Sequence, residues 1–416
     1  MAEARWRMLS VLFLARTVMG FQFQTIASTE GQLRQALGIG FAEIGTLIGL
    51  YMLPGIILAF PGGLLVRRVG DKMVCCAGLG LMAVGGALVG AGHSFEVVLS
   101  GRVLSGIGGV FLSLAITKMV TDWFAGREIV TAMSVMLTSW PFGIAAGLVL
   151  FAPLSQAQGW AAVMYVAATL SLVALLLIAG LYRSPAGTIA KAGPAPLNSA
   201  FALPPRAEAV PVMVAGLAWG VFNLGLVMLF SFGPPFLAAR GYSAAEAAFV
   251  ASTVLWLMIA TMPLGGYWLQ GRRATDLVVV ALCAGLGLVM AGLAYLPEAA
   301  LAIGVVLACL MGPPPGALMA MPSRVLRPES RASGLGLFLT VYFVVMALGP
   351  AVAGMLRDGF GPAAPILFGA AMFFLITPLV ALFGTLTRPA LVPIPAPTVA
   401  PEGRNSAATA GVAAAP

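Results

Sequence analysis

The sequence predicts an all-α integral membrane protein with twelve transmembrane helices in two six-helix, pseudo-symmetric halves. Three observations carry this. Of 416 residues, 60% are apolar and only 9% charged, against roughly 25% charged in a soluble protein, and the mean hydropathy is +1.02. The apolar residues fall into twelve runs, each long enough to cross a hydrocarbon layer about 30 Å thick. Finally, Pro61-Gly62-Gly63-Leu64 near the end of the second run is echoed by Pro263-Leu264-Gly265-Gly266 near the end of the eighth, each followed by a basic pair. The 51 Gly and 29 Pro follow no G-X-Y period and suit close-packed, locally bent membrane helices.

Taken in order, the first run covers 8–28. Arg5 and Arg7 precede it as in a signal peptide. It outruns the usual apolar core of such a peptide, however, and contains Arg16, Gln22 and Gln24, so it is read as a retained helix. Runs two to six cover 44–66, 73–92, 96–117, 129–152 and 160–182, completing a half at 1–182. The polar, Pro-rich stretch 183–209 breaks the pattern and reads as a cytoplasmic linker. Runs seven to twelve, at 210–236, 246–269, 276–296, 298–321, 332–355 and 363–386, give a second half at 210–386. From 387 to 416 Ala and Pro dominate, the composition of a disordered cytoplasmic tail. Glu43, Glu96, Glu128, Glu246, Asp276, Glu298 and Glu329 each stand at or just before the start of a run, where a carboxylate meets the positive end of a helix dipole.

The formal charge of +8 comes from 22 Lys and Arg against 14 Asp and Glu. A phosphate-binding surface would cluster the bases; here they sit in short breaks between runs, so no nucleic-acid partner is expected. With the N-terminus inside, seventeen of the 22 fall in cytoplasmic segments, Arg34, Arg240 and Arg357 fall opposite, and Arg16 and Arg102 lie within runs. That bias predicts a multi-pass chain in the cell inner (plasma) membrane with both termini cytoplasmic. Cys75, Cys76, Cys283 and Cys309 lack C-x-x-C spacing and read as apolar fillers, while His93, the only histidine, reads as a solvated loop residue. The runs hold no paired carboxylates, histidine cluster or nucleophile arrangement, and no G-x-x-x-x-G-K-S/T loop occurs. Neither an enzyme, nor ATP drive within the chain, nor a metal or cofactor is expected.

After the second run the chain reads Gly63-Leu64-Leu65-Val66-Arg67-Arg68-Val69-Gly70-Asp71-Lys72. This resembles the G-x-x-x-D-R/K-x-G-R-R/K loop of the major facilitator superfamily. The glycines, Arg68 and Lys72 match, and the acid and first base are exchanged as Arg67 and Asp71. Run four contains Gly101-Arg102-Val103-Leu104-Ser105-Gly106-Ile107-Gly108-Gly109, similar to the family's fourth-helix motif with its intramembrane arginine, and Asp122-Trp123-Phe124 matches its D-W-F. Trp140-Pro141-Phe142-Gly143 and Gly349-Pro350-Ala351-Val352-Ala353-Gly354 loosely resemble its Gly/Pro-rich fifth helix. The likeness covers about 8–386. It implies parallel repeats about an axis along the membrane normal and alternating access. It also implies a loop that latches the halves, with Arg67 or Arg68 expected on Asp122 or Glu128. Gly63, Arg67, Arg68, Gly70, Asp71, Arg102, Asp122 and Glu128 are therefore expected to serve conformational coupling. For the loop, ordinary positive-inside charge is the alternative.

A charge inside the bilayer costs about 2.5–3.5 kcal/mol even on the gentler insertion scales, so Arg16 and Arg102 mark functional sites by default. Both are cationic, and no carboxylate lies deep enough to neutralise them, which favours a visiting organic or inorganic anion gripped by a guanidinium. Snorkelling is the alternative for either. For Arg102 the family likeness favours packing or coupling, with Gly106, Gly109 and Ser113 on its face. The expected substrate contacts are Arg16, Gln24, Tyr51, Asn223, Trp256 and Tyr342. Gln24 shares the helical face of Arg16, and Asn223 lies in the first helix of the second half. The expected function is a monomeric secondary transporter that moves a small anionic solute across the lipid bilayer. Export of apolar or drug-like compounds is the alternative, and a non-transport sensor or enzyme a distant one.

Overall fold

The computed structural model describes residues 2–124, 128–185, 204–269, 275–327 and 330–387, less the side chains of residues 2, 60, 63, 64, 67, 130, 275 and 332. Every regular element among them is helical, and twelve segments are long and apolar enough to cross a membrane. The first is α1 (Ala2–Ser28), which leads through a short α2 (Glu30–Leu37) into the second, α3 (Phe41–Leu50) plus α4 (Pro54–Val69). Spans three to six are α5 (Asp71–Gly90), α6 (Phe95–Phe124), α7 (Ile129–Gln158) and α8 (Trp160–Leu181). The seventh is α9 (Arg206–Val227) continuing into α10 (Gly233–Ala238), and the eighth and ninth are α11 (Ala244–Leu269) and α12 (Thr275–Tyr295). The tenth is α13 (Ala300–Met311) plus α14 (Pro314–Ala320), and the last two are α15 (Arg331–Phe360) and α16 (Ala364–Thr387).

The predicted runs fall on these helices, but α1 and α6 extend six and seven residues beyond them, because polar residues prolong the hydrogen-bonded ladder past the apolar stretch. α9 likewise takes in 206–209 from the predicted linker; 186–203 and the tail beyond 387 lie outside the described residues. Three spans are interrupted where proline removes a donor. A turn at 51–53 precedes Pro54, residues 312–313 separate α13 from Pro314, and a π turn at Met228–Phe232 precedes Gly233-Pro234-Pro235.

Spans one to six pack on one another, chiefly α5 on α6 and α8 and α1 on α7; spans seven to twelve do likewise, with α9 on α15 and α16 and α12 on α16. The two groups meet along two main seams, α3 with α15 and α7 with α11. One end of the bundle, termed the basic face, carries the start of α1, the end of α16 and the α4–α5 turn; the other, the far face, carries α2 and the α15–α16 turn. Arg5–Glu128, Asp71–Lys118–Asp122, Asp276–Arg324 and Glu208–Arg327 lie at the basic face, each inside one group. Among the described residues, the ion pair that crosses between groups is Glu30–Arg357, at the far face. The bundle is therefore clamped across the far face and, among the described residues, carries no such clamp at the basic one.

Candidate functional site

α1 and α7 cross where Gly20 faces the Trp140 carbonyl and Gly143 faces that of Thr17, contacts a Cβ would block. This closeness lets Arg16, about halfway along α1, extend to α7. Its Nη1 donates to the Met136 carbonyl at 2.8 Å, an oxygen that also accepts from Ser139 Oγ at 2.6 Å. Arg16 is half-buried, its Nε has no partner, and no carboxylate among the described residues pairs with it. A carbonyl dipole offsets only part of a buried cation's lost hydration.

From the other group, α15 brings Tyr342 within electrostatic range of Arg16. The Tyr342 ring lies 6.3 Å from that of Trp219 on α9, which stacks on Phe222 at 6.1 Å. One turn after Trp219, half-buried Asn223 donates its amide to the Trp219 carbonyl at 2.8 Å. Trp256 on α11 meets Phe142 on α7 edge-on at 5.2 Å and is 40% exposed, so it marks the α7–α11 seam. On the far side of Arg16, Phe23 touches Tyr51, Trp140 and, across the groups, Phe230 at 6.1 Å. These rings form an apolar plug beside the π turn that holds Phe230.

Two expected contacts do not join this group. Gln24 is fully buried against Gly147 of α7, with its Nε2 donating to Ser28 Oγ at 3.1 Å. It shares Arg16's general direction but packs between helices, because α1 is flanked by α7 at that height. Tyr51 is 2% exposed and lies under the Arg102 guanidinium, 4.9 Å from ring centroid to Cζ. Arg102, 1% exposed, donates through Nε to the Leu47 carbonyl at 3.0 Å and through Nη1 to the Gln22 carbonyl at 2.7 Å. It thus fastens α1, α3 and α6 inside one group. Hydrogen bonds from a charged donor are worth about 1.5–3 kcal/mol each; Arg102 Nη2 has no partner, and it is burial that keeps Arg102 from a visiting solute.

The α4–α5 turn also departs from expectation. Asp122 pairs with Lys118 at 2.6 Å and Glu128 with Arg5 at 2.8 Å, so neither acid is held by Arg68, which is exposed. Lys118 also reaches Asp71 at 3.4 Å, and Lys72 Nζ donates to the Ala179 and Tyr182 carbonyls at the end of α8. The nearer bases win because Lys118 sits one helical turn before Asp122, whereas Arg68 belongs to another helix. Gly70 forms the turn itself, Gly63 lies within α4, and the side chain of Arg67 lies outside those described. His93 is exposed, the four cysteines are unpaired, and no cluster of metal-binding side chains occurs among the described residues.

Sequence analysis did not bring together the far-face cluster of Glu30, Arg34, Phe41, Arg357 and Asp358. A signal was present: Arg34 and Arg357 are two of the three bases that defied the positive-inside count.

The Major Facilitator Superfamily model matches residues 12–314. A probable L-galactonate transporter of Escherichia coli is 24% identical over 41% of this chain and 37% of its own. The quinolone resistance protein NorA of Staphylococcus aureus is 29% identical over 21% of this chain and 22% of its own. The chain thus spans less than half the length of the curated relatives it matches. Among solved structures, a mutant of the nucleoside transporter NupG superposes with a TM-score of 0.73 at 16% identity, covering 92% of this chain and 100% of that one. A twelve-span bundle, two packed groups of six and a family match over most of its length agree: the chain belongs to the major facilitator superfamily.

Proposed function

We propose that this protein is a secondary transporter of small organic anions in the plasma membrane, with Arg16 as the anion-binding group. The observation that carries the reading is the Arg16 guanidinium: half-buried at mid-span, bonded to a main-chain carbonyl and free of any acid partner among the described residues. A cation held that way in a low dielectric gains most from a ligand that brings the missing negative charge. Tyr342, from the other group, lies within electrostatic range of it and supplies a hydroxyl, while Trp219 beside Tyr342 offers an aromatic wall and carries Asn223 one turn further along α9. An anion lying between them would touch both groups, which alternating access requires. With the basic face assigned to the cytoplasm by the positive-inside bias, the Glu30–Arg357 clamp would close the outer side of the bundle.

The test is thermal stabilisation and proteoliposome uptake with a panel of small carboxylates, phosphate and hydrophobic cations, comparing the parent with Arg16→Ala and Arg16→Lys. Carboxylates should stabilise the parent, Arg16→Ala should abolish this, and Arg16→Lys should retain part of it. Carboxylate stabilisation unaltered in Arg16→Ala would remove Arg16 from the site. Stabilisation by hydrophobic cations alone would replace this reading with drug efflux.

A further inference from the structure

Glu30 Oε2 and Arg357 Nη1 lie 3.0 Å apart with both side chains 8% exposed, and they join α2 of the first group to α15 of the second. The Phe41 ring, at the start of α3, has the Arg34 and Arg357 guanidinium carbons each 3.5 Å from its centroid. Two guanidiniums cannot share one ring face at that distance, so the ring is held between one cation from each group. The neighbouring Asp358 caps α3 from the other group, accepting from Phe41 N at 3.2 Å and Ala42 N at 2.9 Å. Beneath this cluster α3 and α15 touch through backbone: Gly45 meets the Pro350 carbonyl, Gly49 that of Ala347, and Gly354 that of Phe41. α2 is also tied to its own group, Gln32 Nε2 donating to the Ser155 carbonyl at 2.8 Å, and it buries Leu33.

We infer that α2 and the far end of α15 form the outer gate of this transporter, latched by the Glu30–Arg357 pair around Phe41. A dry ion pair is bistable: both charges stay together, or both must hydrate, because leaving either one buried alone is the costly arrangement. The capping of α3 by Asp358 belongs to the closed state for the same reason, since it satisfies helix-end donors that water would otherwise serve. Arg357 is the pivot, as it contacts both Glu30 and the Phe41 ring. The latch does not depend on what Arg16 binds.

The experiment places nitroxide labels at two exposed far-face positions, Ala36→Cys and Gly359→Cys, and separately at two exposed basic-face positions, Thr121→Cys and Ser323→Cys. All four native cysteines are changed to Ala, and distances are read by double electron–electron resonance in nanodiscs. The parent should show a short far-face distance. Arg357→Ala should raise the ratio of long to short far-face distances at least tenfold and shorten the basic-face distance in step. The reversed pair, Glu30→Arg with Arg357→Glu, should return the far-face distribution to the short one. Should Arg357→Ala not yield monodisperse protein, Arg357→Gln is read by the same criteria. A far-face distribution unchanged from the parent overturns the gate, and a reversed pair that stays open overturns the ion pair as its latch.

Discussion

At the basic face the ion pairs stitch each group to itself; at the far face Glu30 and Arg357 stitch one group to the other. The basic-face pairs also occupy corresponding places. Asp71 at the start of span three pairs with Lys118 near the end of span four, and Asp276 at the start of span nine pairs with Arg324 at the end of span ten. Arg5 at the start of span one pairs with Glu128 before span five, whereas Glu208 at the start of span seven pairs with Arg327 before span eleven, with the polarity reversed. The repeat has kept the position of each stitch more faithfully than its sign. If the halves rock, stitches within a group would survive the motion and the stitch between groups would have to break in it. The two faces should therefore answer mutation in different ways, through conformational balance at one and stability of a half at the other.

The largest effect is expected from Gly45→Leu. A side chain there collides with the Pro350 backbone rather than with a flexible side chain, so the seam cannot relax around it. Overpacking costs typically about 1–3 kcal/mol and more where backbone must move. Closure of the far face should fail, the far-face labels should separate, and uptake should fall more than about a hundredfold. Gly180→Leu, at an exposed position with open space around it near the basic-face end of α8, should leave uptake within about twofold of the parent. Equal losses in the two variants would mean the far-face seam has no special role.

The fold was largely legible because apolar run length and charge bias are local in the chain, and both survive into the twelve helices. Arg16 was legible for the same reason, as a lone cation inside an apolar run. What escaped the sequence depended on which helices become neighbours. Gln24 and Tyr51 sit at plausible heights but face α7 and Arg102 rather than open space. Arg68 lost Asp122 to Lys118, one turn away on the same helix. Glu30 and Arg357 are 327 residues apart, and nothing in either's local sequence names the other.

The next effect, about tenfold in population, sharpens the far-face reading through pH. Burial pushes the Glu30 carboxyl above its ordinary 4.5, and the Arg357 guanidinium is the main force opposing that rise, with Arg34 assisting. Asp358 from α15 and Glu43 from α3 are the other charges at this corner. In Arg357→Ala the main opposing charge is gone, so the closed gate favours a protonated Glu30 more strongly than the open, hydrated one does. A group whose pKa is raised in one state favours that state at low pH and loses the contribution as pH rises through the raised value. The variant should therefore be more open at pH 8 than at pH 5. Adding Glu30→Gln should remove this dependence. A variant that opens equally at both pH values would place the driving charge elsewhere.

Glu208→Ala moves to the basic face. Its carboxylate is 8% exposed, lies 3.3 Å from Arg327 Nε and accepts from Ser330 Oγ. Deleting it removes these contacts, but the Arg327 side chain is 78% exposed and Ser330 keeps a bond to the Arg327 carbonyl, so the loss is about 1 kcal/mol. The expected result is a melting temperature lower by several degrees with both label distances unchanged, since the contact never crosses between groups. A shift in the far-face distance would show that the halves do not move as units.

The smallest effect belongs to Arg324→Ala, and its smallness is informative. Arg324 and Asp276 make a two-pronged contact at 2.8 and 2.9 Å, the best geometry of the basic-face pairs described, yet their side chains are 45% and 43% exposed. Exposed pairs are worth about 0–1 kcal/mol, because water screens the attraction and two long side chains give up freedom to meet. Lys118 at the corresponding place is held between Asp71 and Asp122, both less exposed, so Lys118→Ala should cost more than Arg324→Ala. Thermal melts at low and high salt check this: Arg324→Ala should sit within about 2 °C of the parent, and raised salt should narrow even that gap. Both variants should leave the far-face distance alone. If Arg324→Ala opened the far face while Lys118→Ala did not, the second half would be transmitting strain that the first does not, and the symmetry of the stitches would be one of position only.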